Sequence, residues 1–284
     1  MARNRKRNRN RSKTKSKEII VIILLCFVLS LIAFGVMFLW KNKETHVDIN
    51  ISDLCPVDGP RATYAILLDT TDEISQITKQ DIQKRANEVL KELESYYKIS
   101  LYIMDDQGLN KEPVATLCRP IELGDMGELA QKGITANPEM IKEKYHKFTK
   151  IMDNAIDQML DQKFEGAQSP LMSSLQNLSL KLSTPTTFDN IKYPAGKNKI
   201  IFVTDMLEYT PTFSMYNKNA DFELYEQSRA SEKFGKNYDE DIEIWQIRRN
   251  NSGLPYVKLQ NLWAKILRDL GDPNLTVIPL IGEK

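Results

Sequence analysis

Histidine is almost absent from this chain of 284 residues, which contains only His46 and His146. Zinc sites in proteins are usually built from histidine and cysteine side chains, so this scarcity argues against a zinc centre. Internal repeats are absent as well, whereas apolar residues make up 42% of the sequence. That content is enough for the core of one domain of about 200 to 230 residues, and it excludes a disordered protein.

Charge is absent from residues 19–40, IIVIILLCFVLSLIAFGVMFLW. As a helix this segment spans a hydrocarbon core of roughly 30 Å, and it lacks the small-residue cleavage site of a signal peptide. Nine of the 39 Lys and Arg residues precede Ile19, with one of the 38 acids, so the remaining chain has a net charge of −7. The positive-inside rule then predicts a cytoplasmic basic tail (1–18), a transmembrane signal anchor (19–40), a linker (41–61) and an extracytoplasmic domain (62–284).

This topology predicts a single-pass protein of a bacterial inner membrane, with the domain on the periplasmic side. The basic run RNRKRNRNR has a second interpretation, because arginine-rich segments also bind nucleic-acid phosphates. Its position beside the apolar segment favours lipid headgroups. We therefore expect the bilayer as a partner, through residues 19–40, and no nucleic acid.

Only three cysteines are present, and they divide between the segments. Cys26 lies in the apolar segment, whereas Cys55 and Cys118 lie in the exported part. A bridge between Cys55 and Cys118 closes a loop of about 60 residues and stabilises the fold by roughly 3 to 4 kcal/mol on the chain-entropy model. Two buried free thiols are equally compatible with the sequence.

Strand and helix patterns alternate after residue 62, which predicts an α/β domain with a doubly wound, mostly parallel sheet. The predicted strands are residues 63–69, 99–105, 113–119, 199–205, 242–248 and 275–281. Residues 113–119 contain a proline and are expected at an edge of the sheet. The predicted helices are residues 78–98, one opened by Asn137 and Pro138, one opened by Ser169 and Pro170, and residues 221–233 and 257–270.

Acidic and hydroxyl side chains stand where these strands end. Asp69 and Asp205 each terminate an apolar strand, Thr71 follows Asp69 closely, and Ser169 opens a helix between them. In a doubly wound sheet, ligands bind beyond the carboxyl ends of the strands where the strand order reverses. Short oxygen-bearing side chains on such loops suit a hard cation like Mg²⁺. The pattern therefore predicts a metal site at this edge.

The same residues resemble the metal-ion-dependent adhesion site of von Willebrand factor type A domains. That family has Asp-x-Ser-x-Ser after its first strand, a Thr before a helix, often as Thr-Pro-Leu, and an Asp after its fourth strand, often as Thr-Asp-Gly. Here DTTDE (69–73), SPL (169–171) and VTDM (203–206) are similar to the three motifs, and the resemblance covers about residues 60–284. It implies Mg²⁺, with Mn²⁺ or Ca²⁺ as alternatives, on Asp69, Thr71, Glu73, Ser169 and Asp205.

The resemblance implies a membrane-anchored module, not an enzyme, that docks protein partners of unknown identity through a degenerate adhesion site. Two departures from the family matter for the partner. Glu73 replaces the second Ser of the first motif, and the third motif lacks its glycine. Glu73 or the neighbouring Asp72 would add negative charge near the ion and weaken its attraction for an acidic partner.

Two alternatives stay open at this point. The domain can be a structural ectodomain without a metal. It also has some likeness to haloacid dehalogenase phosphatases, but their second acid, two positions after the nucleophile, is replaced by Thr71. Tyr209, Phe213 and Tyr216, which follow Asp205, are either a contact surface or a cover over the sheet edge.

Overall fold

A computed structural model describes residues 25, 27–37, 48–125, 137–162, 166–182, 197–228, 230, 240–249 and 254–282. The chain divides into two compact units. One comprises Met1–His46 and Gly127–Thr135, and the other comprises Val47–Met126 and Ala136–Lys284. The numbered strands and helices below all belong to the second unit. The basic tail predicted at 1–18 lies outside the described residues.

The transmembrane anchor predicted at residues 19–40 is wrong for this structure. Residue 25 and residues 27–37 are the described part of that segment, and they are helical. Among the described residues, no helix has both the length and the apolar character needed to cross a membrane. The predicted single-pass topology and membrane localisation are therefore not supported.

The second unit alternates strands and helices. The strands are β1 (Thr63–Asp69), β2 (Lys98–Asp105), β3 (Gly108–Leu109), β4 (Ala115–Cys118), β5 (Lys199–Thr204), β6 (Asp241–Gln246) and β7 (Leu275–Pro279). The helices are α1 (Gln76–Glu92), α2 (Pro138–Leu160), α3 (Leu171–Leu182), α4 (Phe222–Gln227) and α5 (Tyr256–Leu270), with a 3-10 turn at Leu123–Asp125.

The seven strands form one sheet in the order β3-β2-β1-β5-β6-β7, and β4 also pairs with β2. The central strands are parallel, while β3 and β4 are antiparallel to β2 at the edge. From β1 the chain continues to β2 on one side and later to β5 on the other, so the strand order reverses at β1. The predicted α/β fold with a mostly parallel sheet is confirmed.

Helices cover both faces of this sheet because its central strands are apolar on both sides. Successive side chains point to opposite faces, so Leu67 and Phe202 pack against α3 and α5, whereas Leu68 and Val203 pack against α1 and α2. All four side chains are fully buried. This packing fixes the ends of β1 and β5 beside each other.

Two helices begin at N-cap residues whose type and position predict a helix start from the sequence. The Ser75 hydroxyl accepts the Thr78 backbone N–H at the start of α1. The Asn137 side chain accepts the Glu139 N–H at the start of α2, where Pro138 takes the first position. Each cap supplies a partner to a backbone donor that the helix itself cannot satisfy.

A disulfide ties the segment before β1 to the sheet. Cys55 and Cys118 are bonded, with Cα atoms 4.8 Å apart and a sequence separation of 63. Leu54, beside the bridge, is buried in the core that contains α1 and α2. Because Cys118 ends the edge strand β4, the bridge holds residues 48–61 against that edge. Of the two alternatives for these cysteines, the structure has the bridge.

Replacing both bridged cysteines, Cys55→Ser with Cys118→Ser, should lower the free energy of unfolding by about 3 to 4 kcal/mol, because the unfolded chain regains the entropy of a long loop. Urea denaturation followed by circular dichroism measures the change. Cys26→Ser, which alters a cysteine of the other unit, is the matched control and should leave the transition unchanged. A loss below about 1 kcal/mol in the double variant would contradict the prediction.

Candidate functional site

Strands β1 and β5 end side by side where the strand order reverses. Their register pairs Leu68 with Val203, so the next residues, Asp69 and Thr204, stand level at the strand ends. Both side chains are buried, and Asp205 follows directly. The two acids that the sequence places at strand ends therefore share one edge of the sheet, as expected for a doubly wound fold.

Asp69 is a buried carboxylate with hydrogen bonds to both oxygens. Its Oδ1 accepts the Thr71 backbone N–H at 3.0 Å and the Thr71 hydroxyl at 2.7 Å. Its Oδ2 accepts the Thr204 hydroxyl at 2.8 Å. These three donors replace the water that a carboxylate loses on burial, and they tie the loop after β1 to the end of β5.

Ser169 reaches the same cluster from the loop before α3. Its Oγ lies 3.2 Å from Thr71 Oγ1. Two backbone hydrogen bonds with Tyr209 hold it there, from Ser169 N to Tyr209 O at 2.7 Å and from Tyr209 N to Ser169 O at 3.0 Å. Gly166 allows the loops to approach closely, because a Cβ at this position would lie 3.2 Å from the Thr71 Cβ and 3.3 Å from the Asp106 Cβ.

The turn after β5 adopts a conformation that is rare for a residue with a side chain. Met206 has a φ of 68°, and the surrounding contacts hold it there. Its N–H donates to Thr204 Oγ1 at 3.0 Å, and its carbonyl accepts the Trp263 indole N–H at 2.7 Å. Leu207 N–H then donates to Asp205 Oδ1 at 2.9 Å. The Asp205 carboxylate is therefore fixed by its own loop.

Arg249 brings a positive charge to the site from the loop after β6. Its Nε donates to Asp205 Oδ2 at 2.8 Å, and its Nη1 donates to the Glu73 carbonyl at 2.9 Å. The Asp72 carboxylate lies farther away, at 3.9 Å from Nε. The Tyr256 hydroxyl donates to the Arg249 carbonyl at 2.8 Å and anchors the backbone. Arg249 thus connects the loops that follow β1, β5 and β6.

Burial governs the protonation of this cluster. It raises the pKa of Asp69, although hydrogen bonds from Thr71 and Thr204 oppose it. Burial, followed by the nearby Asp69 carboxylate, raises the pKa of Asp205 to about 7 against the effect of Arg249. Burial acts to lower the pKa of Arg249, but Asp205 and Asp72 outweigh it, so the net shift is upward. The positive charge of Arg249 therefore acts on two buried carboxyl groups, those of Asp69 and Asp205.

The prediction of a metal-binding site is wrong for the described part of the chain. It contains no group of three or more His, Cys, Asp and Glu side chains that could hold a metal ion. Only two acid side chains, Asp69 and Asp205, meet in this cluster, because the Glu73 side chain is exposed, and Arg249 Nε already donates to Asp205 Oδ2. A divalent cation beside a guanidinium is repelled, so these residues do not fit a resident Mg²⁺, Mn²⁺ or Ca²⁺.

The structure brings four of the five predicted site residues together. Asp69, Thr71, Ser169 and Asp205 are all buried at the reversal point of the sheet. Glu73 is placed differently, because its side chain is exposed and only its carbonyl oxygen joins the site, through Arg249. With Thr204, whose hydroxyl donates to Asp69, the cluster comprises two acids, three hydroxyls and one cation.

Two central residues, Thr204 and Arg249, are missing from the sequence-based set. Thr204 stands immediately before Asp205, and Arg249 follows a predicted strand. Their positions at the carboxyl ends of adjacent strands therefore indicate that they belong to the site. The sequence alone does not show that Arg249 reaches Asp205, because that contact depends on β6 lying beside β5.

A third buried acid, Glu208, supports the serine loop. Its Oε2 accepts the Met172 backbone N–H at 2.8 Å in the first turn of α3. A carboxylate in this place interacts favourably with the helix dipole. Burial is nevertheless the larger effect and raises the pKa of Glu208 to about 8.

Comparisons with known proteins do not show a family for this chain. No family model matches the chain, and no curated protein matches it. Among solved structures it is similar to proximal thread matrix protein 1 from the mussel byssus, with a TM-score of 0.38, 10% identity, and coverage of 78% of this chain and 44% of that chain. The chain thus spans less than half of that protein, and a likeness this distant carries no argument about function. The α/β fold with a mostly parallel sheet is compatible with a type A domain.

Glu208→Gln should make the protein less sensitive to rising pH. The pKa of Glu208 rises from its usual 4.5 to about 8 on folding, so the folded state holds a proton that the unfolded state has released. The stability that this proton gives is lost as pH rises from 4.5 to about 8. In that range the free energy of unfolding of the wild type should fall by up to about 1.4 kcal/mol per pH unit more than that of the variant.

Urea denaturation at pH 6, 7 and 8 measures this difference in slope. Glu143→Gln, which removes the same charge from an exposed position on α2, is the control and should follow the wild type. Equal pH slopes for Glu208→Gln and the wild type would refute the assignment.

Proposed function

We propose that the chain is a von Willebrand factor type A-like binding module, not an enzyme, and that it docks a positively charged segment of a protein partner. The docking surface is the loop face, which we define as Asp72, Glu73, Asp106, Tyr209 and Tyr216 at the carboxyl ends of the central strands. The observation that carries the proposal is an exposed tyrosine pair beside exposed acids. Guanidinium and ammonium groups bind favourably to that combination.

The tyrosine pair has the character of an interface anchor. Tyr209 and Tyr216 are 47% and 42% exposed, and their rings meet edge to face with centroids 5.6 Å apart. Tyr209 is also bonded to Ser169, so the pair is held against the buried cluster. Phe213, the third aromatic of this segment, is buried and packs against Tyr225 instead. Rigid aromatics at a surface are common anchors for partners.

The charges of the loop face favour a basic partner. The Asp72 side chain is 48% exposed, the Glu73 side chain is exposed, and Asp106 is partly exposed. Burial and then the charges of Asp205 and Asp72 raise the pKa of Tyr216 to about 12, so the acids act on its hydroxyl. Arg249 pairs with Asp205, so its charge is largely used inside the cluster and the rim of the loop face stays acidic. An acidic partner would meet repulsion at this rim.

The environment of Asp69 supports a role in structure and not in phosphoryl chemistry. Its carboxylate accepts three hydrogen bonds and is 6% exposed. A haloacid dehalogenase-like reaction needs a second acid where Thr71 stands, and the Thr71 hydroxyl instead donates to Asp69.

Fluorescence anisotropy can test the proposal with a labelled peptide of alternating Arg and Gly residues, titrated with the full-length protein. We expect saturable binding that weakens about tenfold in Tyr209→Ala with Tyr216→Ala, because cation–π contacts are lost. Asp72→Asn with Glu73→Gln should weaken binding by a similar factor and reduce its salt dependence. A peptide with Gln in place of Arg should not bind.

The matched control is Glu143→Gln with Asp153→Asn, which removes two exposed acids of α2 away from the loop face. This variant should bind the Arg peptide like the wild type. Peptide binding that is the same in the loop-face variants and in the control would show that the contact is nonspecific, and the proposal would fail.

A further inference from the structure

We propose that a basic pocket beside α5 binds a soluble ligand that carries at least two phosphate groups. The basic pocket is a cavity of about 410 Å³ whose walls are the turn before α4 and one face of α5. Its polar lining residues are Lys218, Asn219, Asp221, Lys258, Asn261 and Lys265. The proposal goes beyond the loop face and does not require the proposed function to be correct.

Helix α5 supplies one wall of the basic pocket. Lys258, Asn261 and Lys265 are spaced by three and four residues, so they lie on one face of the helix, and all three are exposed. Leu262, on the same face, is buried and lines the pocket between them. Trp263 is buried in the core beneath the sheet, so α5 cannot shift without disturbing that core. This wall is therefore fixed in place.

The turn before α4 supplies the other wall. The Asn217 Oδ1 atom accepts the Asn219 backbone N–H at 3.0 Å, and the Asn217 carbonyl accepts the Ala220 N–H at 2.8 Å. Ala220 is buried in the same core as α5, which anchors the turn that carries Lys218. With both walls anchored, the pocket is already formed before a ligand arrives, and binding pays less for ordering.

The charge of the basic pocket is unusual for this chain. Lys218, Lys258 and Lys265 are exposed, and none of them forms an ion pair with another described residue. Asp221 is the one acid among the described lining residues, and its Oδ1 accepts the Leu224 N–H at 2.9 Å as the N-cap of α4. Three cations thus face one acid, although the chain beyond its basic tail is acidic on average. The pocket therefore selects an anion.

The kind of anion follows from the number of charges and from the size of the cavity. Lysine ammonium groups bind phosphate oxygens as point charges, and the amides of Asn219 and Asn261 offer further N–H donors. One phosphate group carries about 1.5 to 2 negative charges, so two groups are needed to balance three lysines. Pockets for small ligands have volumes of about 300 to 1,000 Å³, and this one is near the lower limit. A compact diphosphate fits both conditions.

Calorimetric titration of the full-length protein with inorganic pyrophosphate tests the proposal. We expect saturable binding that weakens as NaCl is added, and weaker binding of inorganic phosphate. Lys258→Gln with Lys265→Gln should weaken pyrophosphate binding about tenfold, and adding Lys218→Gln should abolish it. The substituted lysines are exposed, so Tm should stay unchanged in these variants.

Asp221→Asn provides a test in the opposite direction. Asparagine is as good an N-cap as aspartate, so the variant keeps α4 while it removes the one acid of the lining. Pyrophosphate should bind this variant more tightly than the wild type. The matched control is Lys91→Gln with Lys150→Gln, which removes two exposed lysines of α1 and α2 on the other face of the sheet. This control should bind pyrophosphate like the wild type, since the basic tail is present in every variant.

Equal pyrophosphate affinity in the lysine variants and in the control would overturn the proposal. Cosedimentation with phosphatidylcholine vesicles that contain phosphatidic acid distinguishes the source of the phosphate. Vesicle binding that needs the three lysines, without saturable pyrophosphate binding, would assign the pocket to lipid and overturn the soluble ligand. Tighter binding of an oligoglutamate peptide than of pyrophosphate, with the same dependence on the lysines, would overturn the phosphate class. The Arg peptide should bind the lysine variants like the wild type, so this proposal and the proposed function can fail separately.

Discussion

Two carboxylates buried at the ends of adjacent parallel strands set the main constraint on this domain. Asp69 and Asp205 lose most of their hydration, and each must be compensated by protein groups. Asp69 accepts hydrogen bonds from two hydroxyls and one backbone N–H, whereas Asp205 accepts one from a backbone N–H and one from the Arg249 guanidinium. The loops after β1, β5 and β6 are thereby fixed relative to one another, together with the surface that they carry.

The topology explains why these groups meet. The carboxyl ends of parallel strands lie at the same edge of the sheet. Reversal of strand order at β1 leaves a crevice at this edge, into which the loops project. Strand β6 lies beside β5, so a residue shortly after β6 can reach the loop after β5. The left-handed Met206 then turns the chain sharply, while the Trp263 indole of α5 holds its carbonyl. The packing of α5 thus helps to position the loop that carries Asp205.

Local patterns in the sequence predict most strands and helices of this fold. They do not predict contacts between side chains that lie far apart in the sequence. Apolar runs such as residues 63–69 and 199–205 identify the central strands, and the Asn137–Pro138 start of α2 is legible from capping chemistry. For the segment 19–40, the sequence predicts a membrane span, and the described residues contain no helix that could form one. The Arg249–Asp205 pair joins residues 44 apart, and no local pattern reports it.

The charge of Arg249 and its partners shapes what the loop face can select. A guanidinium carries a single delocalised charge, and here Asp205 takes its Nε while Asp72 lies nearby. The balance of charge at the rim therefore moves toward the acids, and the tyrosine pair adds the negative faces of two aromatic rings.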